Sequence, residues 1–228
     1  MIILAIDTAS RSCSVAVMDG EAVLAEISDV SGQTHSRHLM TMVDRALSAA
    51  GVRLGEIDGV AVTRGPGSFT GLRIGISAAK GLAEAAGKPL VGISSLQALA
   101  WQIVQAEAII IPMLDARRKE VYTARYRQDG QGLKMIAAEQ AISPEAAVQD
   151  IDGPCILIGD GAVAYTGRLR AILGDHMQMA LPFQHIIRAS TVAFLAHARL
   201  IADRDERLTL VPYYIRKSYV EEGRHNAR

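Results

Sequence analysis

The same order of elements occurs twice along the chain, and this repeat restricts the fold more than any single motif does. Each copy begins with an apolar run that ends in an aspartate, Asp7 in the first copy and Asp115 in the second. Each continues through a polar turn into a second and a third strand-like run, which predicts antiparallel hairpins in both copies. The predicted strands are 2–6, 13–18 and 23–27 in the first copy and 109–114, 121–126 and 133–137 in the second.

A helix and a further strand follow the hairpins in each copy. Apolar residues at helical spacing predict the first helix, and a Ser-Pro start predicts the second. In each copy the last strand enters a glycine-containing loop. The predicted elements are a helix over 35–50 and a strand over 59–63, then a helix from Ser143 to about Asp150 and a strand over 155–158.

Two such units in tandem predict an α/β fold with two ribonuclease-H-like halves, as in the actin, sugar-kinase and Hsp70 (ASKHA) architecture. The second half is the reduced one, and the two aspartate turns should face each other across a cleft. We expect a first half over 1–105 and a second over 106–189. A late helix over 190–203, capped by Ser190, should pack back on the first half, and 204–228 form a C-terminal tail.

Charge and cysteine content limit the classes of protein. The 24 basic residues balance 24 acidic ones, so no chain-wide cationic field attracts nucleic acid. Cys13 and Cys155 are too far apart in sequence to indicate a disulfide framework or a zinc ribbon. The start, MIILAID, has no basic leader and reaches an acid too early for a membrane span. We expect a cytoplasmic protein with no membrane contact.

The loop after the fourth predicted strand, Gly65-Pro66-Gly67-Ser68, begins a helix, and helix starts attract anions. The string is neither GxxxxGK[ST] nor GxGxxG, so a glycine-dependent tight turn is the alternative to phosphate binding. Asp7 and Asp115 could hold Mg²⁺ through water or could simply cap turns, which we favour. The candidate anion or nucleotide site, at most a weak one, is Asp7, Gly65, Gly67, Ser68 and Asp115.

The helix behind this loop has two faces of apolar or small residues, whereas a helix on a sheet normally has one. A smooth face of glycine and alanine indicates close approach by another helix. The helix over 35–50 could provide that cover internally, or a second subunit could.

Several strings of the chain resemble the bacterial TsaB (YeaZ) family of tRNA threonylcarbamoyladenosine biosynthesis, a noncatalytic paralogue of TsaD. They extend from Asp7 to Arg216, and GPGSFTGLR followed by AKGLA is the most specific. The matching strings are AIDTASRSCSVAV, HSRHL, GPGSFTGLRIGISAAKGLA, SSLQALA, DARRKEVY and PYYIR.

The resemblance also shows where this chain departs from TsaD, which carries two metal-ligating histidines four residues apart on the helix after the next strand. Ser95 and Leu99 stand at those places. A serine hydroxyl is a poor ligand and leucine is none, so we expect no metal, no catalytic residue and no obligatory cofactor.

The resemblance implies a scaffold that binds a TsaD-like catalytic subunit, works with a TsaE-like ATPase and meets tRNA mainly through that complex. A homodimer could form when the catalytic subunit is absent. The predicted contacts lie on the helices over 35–50 and 68–86. The predicted interface residues are Leu39, Met42, Val43, Ala46, Gly71, Gly75, Ala78 and Leu82.

Three other patterns carry less weight. His35 and His38 form HxxH, but no third ligand is evident, which disfavours a metal site. Ser68 lies outside a GxSxG elbow and has no assignable base, which disfavours the peptidase activity once given to relatives. A basic patch is more often a solvated face than an RNA site, and aromatic residues for stacking are few. The patch comprises Arg117, Arg118, Lys119, Arg125 and Arg127, with Arg216 and Lys217 near the end.

The sequence therefore favours an accessory subunit, required with its partners to transfer threonylcarbamoyl to adenosine 37 of tRNAs that read codons beginning with A. The alternative from another class is an enzyme of the cleft, either an ATP hydrolase or a small-molecule kinase. That alternative rests on the duplicated aspartate turn and the glycine loop.

Overall fold

The computed structural model describes residues 1–31, 35–103, 107–129 and 132–216. Two five-stranded mixed sheets form the molecule, one from each copy of the repeat. The predicted boundary at 105 and 106, the side chain of His35 and the segment from Lys217 to Arg228 lie outside the described residues.

The first sheet has the strand order β3-β2-β1-β4-β5. Its first three strands are antiparallel neighbours, and β4 and β5 continue the sheet in parallel to β1. Branched and small apolar residues fill β1, β2 and β4 because both faces of these central strands are covered. The strands are β1 Ile2–Asp7, β2 Cys13–Asp19, β3 Ala22–Asp29, β4 Gly59–Gly65 and β5 Leu90–Ser94.

The second sheet repeats this plan. Its order, β10-β9-β6-β7-β8, corresponds strand for strand to the first sheet, with the same antiparallel and parallel pairings. The predicted tandem of ribonuclease-H-like halves is therefore confirmed. The strands are β6 Ile109–Arg117, β7 Glu120–Gln128, β8 Leu133–Ile142, β9 Cys155–Ile158 and β10 Met177–Met179.

Seven α-helices are assigned in the described residues, and those of the second half are short, which agrees with its predicted reduction. In the first half, α1 and α2 cover one face of the sheet, and α7 and α3 pack on the other. The helices are α1 His35–Ala50, α2 Phe69–Ala86, α3 Ser95–Ala100, α4 Pro144–Val148, α5 Asp160–Ala164, α6 Thr166–Leu173 and α7 Ala189–Ile201. None of these is both long and apolar enough to cross a membrane.

Local capping explains the bounds of α2. The hydroxyl oxygen of Ser68 accepts a hydrogen bond from the N–H of Gly71, which satisfies one donor of the first turn. At the other end Gly87 adopts a left-handed conformation with φ of 64°, and its N–H donates to the carbonyls of Ala83 and Glu84. These two ends fix an 18-residue helix that begins directly at the glycine loop.

The predicted cap of the late helix is wrong. Ser190 lies inside the first turn of α7, and the cap comes from β3, where the Glu26 carboxylate accepts hydrogen bonds from both the N–H (3.0 Å) and the hydroxyl (2.9 Å) of Ser190. Arg188 also donates to Glu26, and the hydroxyl of Ser14 accepts from the N–H of Ala189. Donors at a helix start favour a carboxylate, and here it is supplied by a distant strand.

One hydrophobic cluster joins the two halves. It contains side chains of the first sheet, α3 and α7 together with Leu114, Tyr126 and Ile158 of the second sheet. The helix α7 lies against β1, β2, β4 and β5. The division at 105 and 189 stays a prediction, because this cluster is continuous across it.

Residues 204–216, predicted as part of a tail, are bound to the first half. Glu206 donates its N–H to the carbonyl of Leu90 and accepts from the N–H of Gly92, and Leu210 is buried. Farther on, the N–H of Tyr213 donates to the carbonyl of Arg64 at 2.7 Å. The segment therefore runs along β5 and β4 toward the glycine loop.

Candidate functional site

A cleft of about 530 Å³ lies between the halves, at the ends of β1 and β6. Its walls come from the turn after β1, the start of α2, the end of β6 and the start of α5. It is lined by Ala9, Ser10, Arg11, Gly67, Ser68, Phe69, Thr70, Leu114, Asp115, Ala116, Arg117, Tyr122 and Asp160. The repeat thus brings the two turns together at one cavity, as its symmetry indicates.

Asp7 is fully buried and is not among the residues that line the cleft. Its Oδ1 accepts hydrogen bonds from the hydroxyl of Thr63 (2.7 Å) and the N–H of Ala9 (3.1 Å), so it joins β4 to the turn after β1. Burial raises the pKa of Asp7 to about 7, against the opposing effect of the Thr63 hydrogen bond. Its Oδ2 has no hydrogen-bond partner among the described residues. These contacts are those of a turn-capping carboxyl.

Asp115 lies in the cleft wall, where its Oδ1 accepts from the N–H of Arg117 at 2.8 Å. Its own N–H donates to Oδ1 of Asp160 at 3.0 Å. Asp160, the first residue of α5, has a pKa raised mainly by burial. Asp160 was not among the predicted site residues, although it belongs to the glycine loop that corresponds, in the second copy, to the loop at Gly65.

The glycine loop is packed tightly against the turn after β1. The N–H of Ser68 donates to the carbonyl of Ala9 at 2.7 Å, and a β-carbon at position 67 would lie 2.3 Å from that same oxygen. Gly65 has φ of 119°, and a β-carbon there would lie 2.5 Å from the carbonyl oxygen of Tyr213. Glycine is required at both positions because another backbone segment occupies the space. The predicted anion site stays a prediction, but the carbonyl oxygen of Ala9 already accepts the hydrogen bond from the Ser68 N–H of the loop.

The small face of α2 is covered by Thr8. A β-carbon at Gly71 would lie 2.1 Å from the Thr8 carbonyl oxygen, and one at Gly75 would lie 2.2 Å from its hydroxyl oxygen. The Thr8 hydroxyl also donates to the carbonyl of Gly71 at 2.8 Å. At Gly71 and Gly75 the cover is therefore the turn after β1 and not a second helix, whereas Ala78 and Leu82 belong to the hydrophobic cluster that α1 shares with α2.

Most of the predicted interface residues are interior in the single chain. Ala78 is half-buried, and the other seven side chains or glycines are buried. The interface stays a prediction at the level of the two helices. Any contact with a partner would use the outward residues of α1 and α2. Among these are Met40, Asp44, Arg73, Ser77, Gly81 and Ala85.

The helix after β5 holds the two positions that the family resemblance singles out. Ser95 and Leu99 of α3 are both fully buried, and Leu99 belongs to the cluster that joins the halves. A β-carbon at Gly159 would lie 2.7 Å from a methyl carbon of Leu99. A metal held by this helix does not fit, since one side chain has no donor atom and the other only a neutral hydroxyl.

Other chemistries find little support in the described part of the chain. It contains no group of three or more His, Cys, Asp or Glu side chains that could hold a metal. The Ser68 hydroxyl caps α2, and no described histidine lines the cleft, so the arrangement lacks a nucleophile with its base. His185 uses Nδ1 to accept from the N–H of Gly159.

The fold and the site define a protein of the actin, sugar-kinase and Hsp70 class, with a closed-up glycine loop and no metal-ligand pair on the helix after β5. The family model described as "TsaD: tRNA N6-adenosine threonylcarbamoyltransferase" matches residues 25–206. The chain is 30% identical over 224 residues to the tRNA threonylcarbamoyladenosine biosynthesis protein TsaB of Bacillus subtilis, covering 97% of this chain and 96% of the relative.

The TsaB protein of Escherichia coli is 37% identical over 172 residues, which cover 72% of this chain and 74% of that protein. A solved structure described as an uncharacterized protein with similarity to peptidase YEAZ from Pseudomonas aeruginosa matches with a TM-score of 0.80 and 28% identity, covering 94% of this chain and 99% of that one. The chain belongs to the TsaB family of tRNA threonylcarbamoyladenosine biosynthesis.

Proposed function

We propose that the chain is a noncatalytic subunit required for threonylcarbamoyl transfer to adenosine 37 of tRNAs that read codons beginning with A. It acts in the cytoplasm with a TsaD-like catalytic subunit and a TsaE-like ATPase. The observation that carries the proposal is the pair Ser95 and Leu99, buried in α3 where the catalytic relative carries metal-ligating histidines. Membership of the family supports the pathway, and these two residues support the noncatalytic role.

Reconstitution tests this role directly. The catalytic subunit, the ATPase, threonylcarbamoyl-adenylate and unmodified tRNA are mixed with or without this chain, and the modified nucleoside is measured by mass spectrometry. We expect product only when this chain is present, and none from this chain alone. Product from this chain alone, together with a stoichiometric transition metal in the purified protein, would contradict the proposal.

The outward face of α1 and α2 is the proposed contact with the catalytic subunit, or with a second copy of this chain when that subunit is absent. Gly81 suits a test, because a β-carbon there meets no atom within 4 Å. We expect Gly81→Arg to abolish the heterodimer in light scattering while the single chain stays folded. Gly167→Arg is the matched control, since Gly167 is exposed on α6 and equally open. A heterodimer that survives Gly81→Arg would exclude this face.

A further inference from the structure

We propose that the mouth of the cleft binds a single-stranded stretch of RNA, with one unpaired base inside the cleft and the neighbouring phosphates on a cationic rim. The choice of RNA among polyanions rests on the proposed role in tRNA modification. The contact itself rests on the side chains that the fold collects at this mouth.

The rim is cationic although the whole chain has no net charge. Arg11 from the turn after β1 and Arg117 from the end of β6 are exposed and line the cleft from opposite halves. The Arg117 guanidinium also forms an ion pair with the Asp115 carboxylate at 3.3 Å, with most of its side chain still in solvent. Arg73 of α2 packs on the cleft residue Phe69, with its guanidinium 3.8 Å from the centre of the ring, and its Nε–H donates to the hydroxyl of Tyr214 at 3.0 Å. Guanidinium groups on both sides of an opening suit the successive phosphates of a nucleic-acid strand.

The hairpin turn between β6 and β7 follows directly on the cleft residue Arg117, carries two further exposed cations and has an unusual conformation. Arg117, Arg118 and Lys119 have φ values of 62°, 53° and 63°. Left-handed residues in a tight hairpin are normally asparagine or glycine, which adopt this conformation more readily. Long cationic side chains at these positions are therefore not explained by the turn, whereas a contact with phosphates explains them.

Aromatic rings lie at the same mouth. Phe69 and Tyr122 line the cleft from the two halves, and Tyr214 stacks on Phe69 with ring centres 4.8 Å apart. Arg216, two residues farther on, forms an ion pair with Glu120 of the second half. Aromatic residues are few in the sequence, but the fold brings three of them together here: Phe69, Tyr122 and Tyr214. Unpaired bases stack on such rings in single-stranded RNA recognition.

The distribution of charge within the cleft indicates which part of a nucleotide enters. The carboxyl groups of Asp115 and Asp160 line the interior, and the Ala9 carbonyl occupies the glycine loop. These oxygens disfavour a phosphate inside the cleft and can accept hydrogen bonds from the N–H groups of a base edge. A cavity of about 530 Å³ is large enough for one base with its ribose. The base therefore enters, and the phosphates stay outside.

Fluorescence anisotropy of the full chain with a labelled anticodon-type stem-loop of about 17 nucleotides tests the inference. We expect binding with a Kd of roughly 1 to 100 μM that weakens with salt, and weaker binding of a blunt duplex. The decisive variant is Arg118→Asn with Lys119→Gly, which gives the hairpin its preferred turn and removes two charges. Its Kd should rise about five- to tenfold, and its salt slope should fall by roughly 1.4, while its thermal stability does not decrease.

Lys88→Gln with Arg204→Gln is the matched control. These two substitutions also remove two positive charges, but near the start of β5, at the end of the first sheet away from the cleft. They should leave the Kd unchanged. Tyr122→Leu should reduce the preference for unpaired RNA at least fivefold without changing duplex binding. Equal losses in the hairpin and control variants, or no binding at 100 μM, would overturn the inference.

Competition with ATP identifies the ligand class. If millimolar ATP displaces the stem-loop completely, the cleft binds a mononucleotide, and the inference is wrong. Reconstitution separates this failure from that of the proposed function: a chain that is needed for modification but does not bind the stem-loop would retain its accessory role and lose only the direct RNA contact.

Discussion

Gly71→Ala tests whether the glycine string of α2 is a packing motif. The new β-carbon would lie 2.1 Å from the Thr8 carbonyl oxygen, more than 1 Å inside ordinary contact distance. The oxygen belongs to packed backbone and the backbone fixes the position of the β-carbon, so neither atom can move away by a change of rotamer. Alanine in a helix gains about 1 kcal/mol over glycine. Overpacking of this kind costs about 1 to 3 kcal/mol or more, and the strain also disturbs the buried hydrogen bond from the Thr8 hydroxyl to the Gly71 carbonyl (2.8 Å), worth about 1 kcal/mol.

Gly81→Ala is the control within the same helix, because its β-carbon meets nothing within 4 Å. We expect the control to raise the free energy of unfolding by about 1 kcal/mol and Gly71→Ala to lower it by about 2 kcal/mol. Urea unfolding followed by circular dichroism measures both, at a concentration where light scattering shows a monomer. If the free energies of unfolding of the two variants differ by less than about 1 kcal/mol, contact with the Thr8 carbonyl is not the reason for glycine at position 71, and the reasoning fails.

Three further predictions concern the same half. Gly75→Ala should destabilise the fold by about 1 to 3 kcal/mol, but clearly less in a Thr8→Ala background, since its clash is with the Thr8 hydroxyl; an additive double-mutant cycle would refute this. Asp7 has a pKa of about 7 when folded and about 3.8 when unfolded, so its stabilising contribution is complete below pH 4 and is lost as pH rises to 7. Relative to Asp7→Asn, the wild-type free energy of unfolding should fall by about 2 to 3 kcal/mol between pH 5 and pH 7, and parallel urea profiles would contradict the buried carboxyl. Glu26→Ala should cost about 2 kcal/mol and Ser190→Ala less than about 1 kcal/mol, whereas the reverse order would restore the serine as the cap of α7.

The architecture could be predicted because it depends on patterns that are local in sequence. Each apolar run has the length and branching of a strand, and α1 begins and ends at the predicted residues His35 and Ala50. Because the second copy repeats the elements of the first, the same strand order is predicted for both sheets, and both have it. The aspartate turns meet at one cleft for the same reason.

The missed features all depend on contacts between residues distant in sequence. Glu26 caps a helix that begins more than 160 residues later, and no local pattern indicates a carboxylate supplied from a strand. Thr8 covers the small face of α2 from 63 residues away, so periodicity indicated a covered face but not its cover. Asp160 lies opposite Asp115 only because α5 begins beside the end of β6.

The packing of α7 has a consequence for how the protein is made. The strands of the first sheet end at Ser94, but one apolar face of this sheet is covered by side chains of α7 such as Val192, Ala196 and Leu200, which are synthesised much later. Nascent N-terminal domains usually fold as separate units. In this protein the face of the first sheet that α7 covers stays in contact with solvent or a chaperone until α7 has left the ribosome. We expect ribosome-bound chains that stop before α7 to be sensitive to protease, even though every strand of their sheet has already emerged.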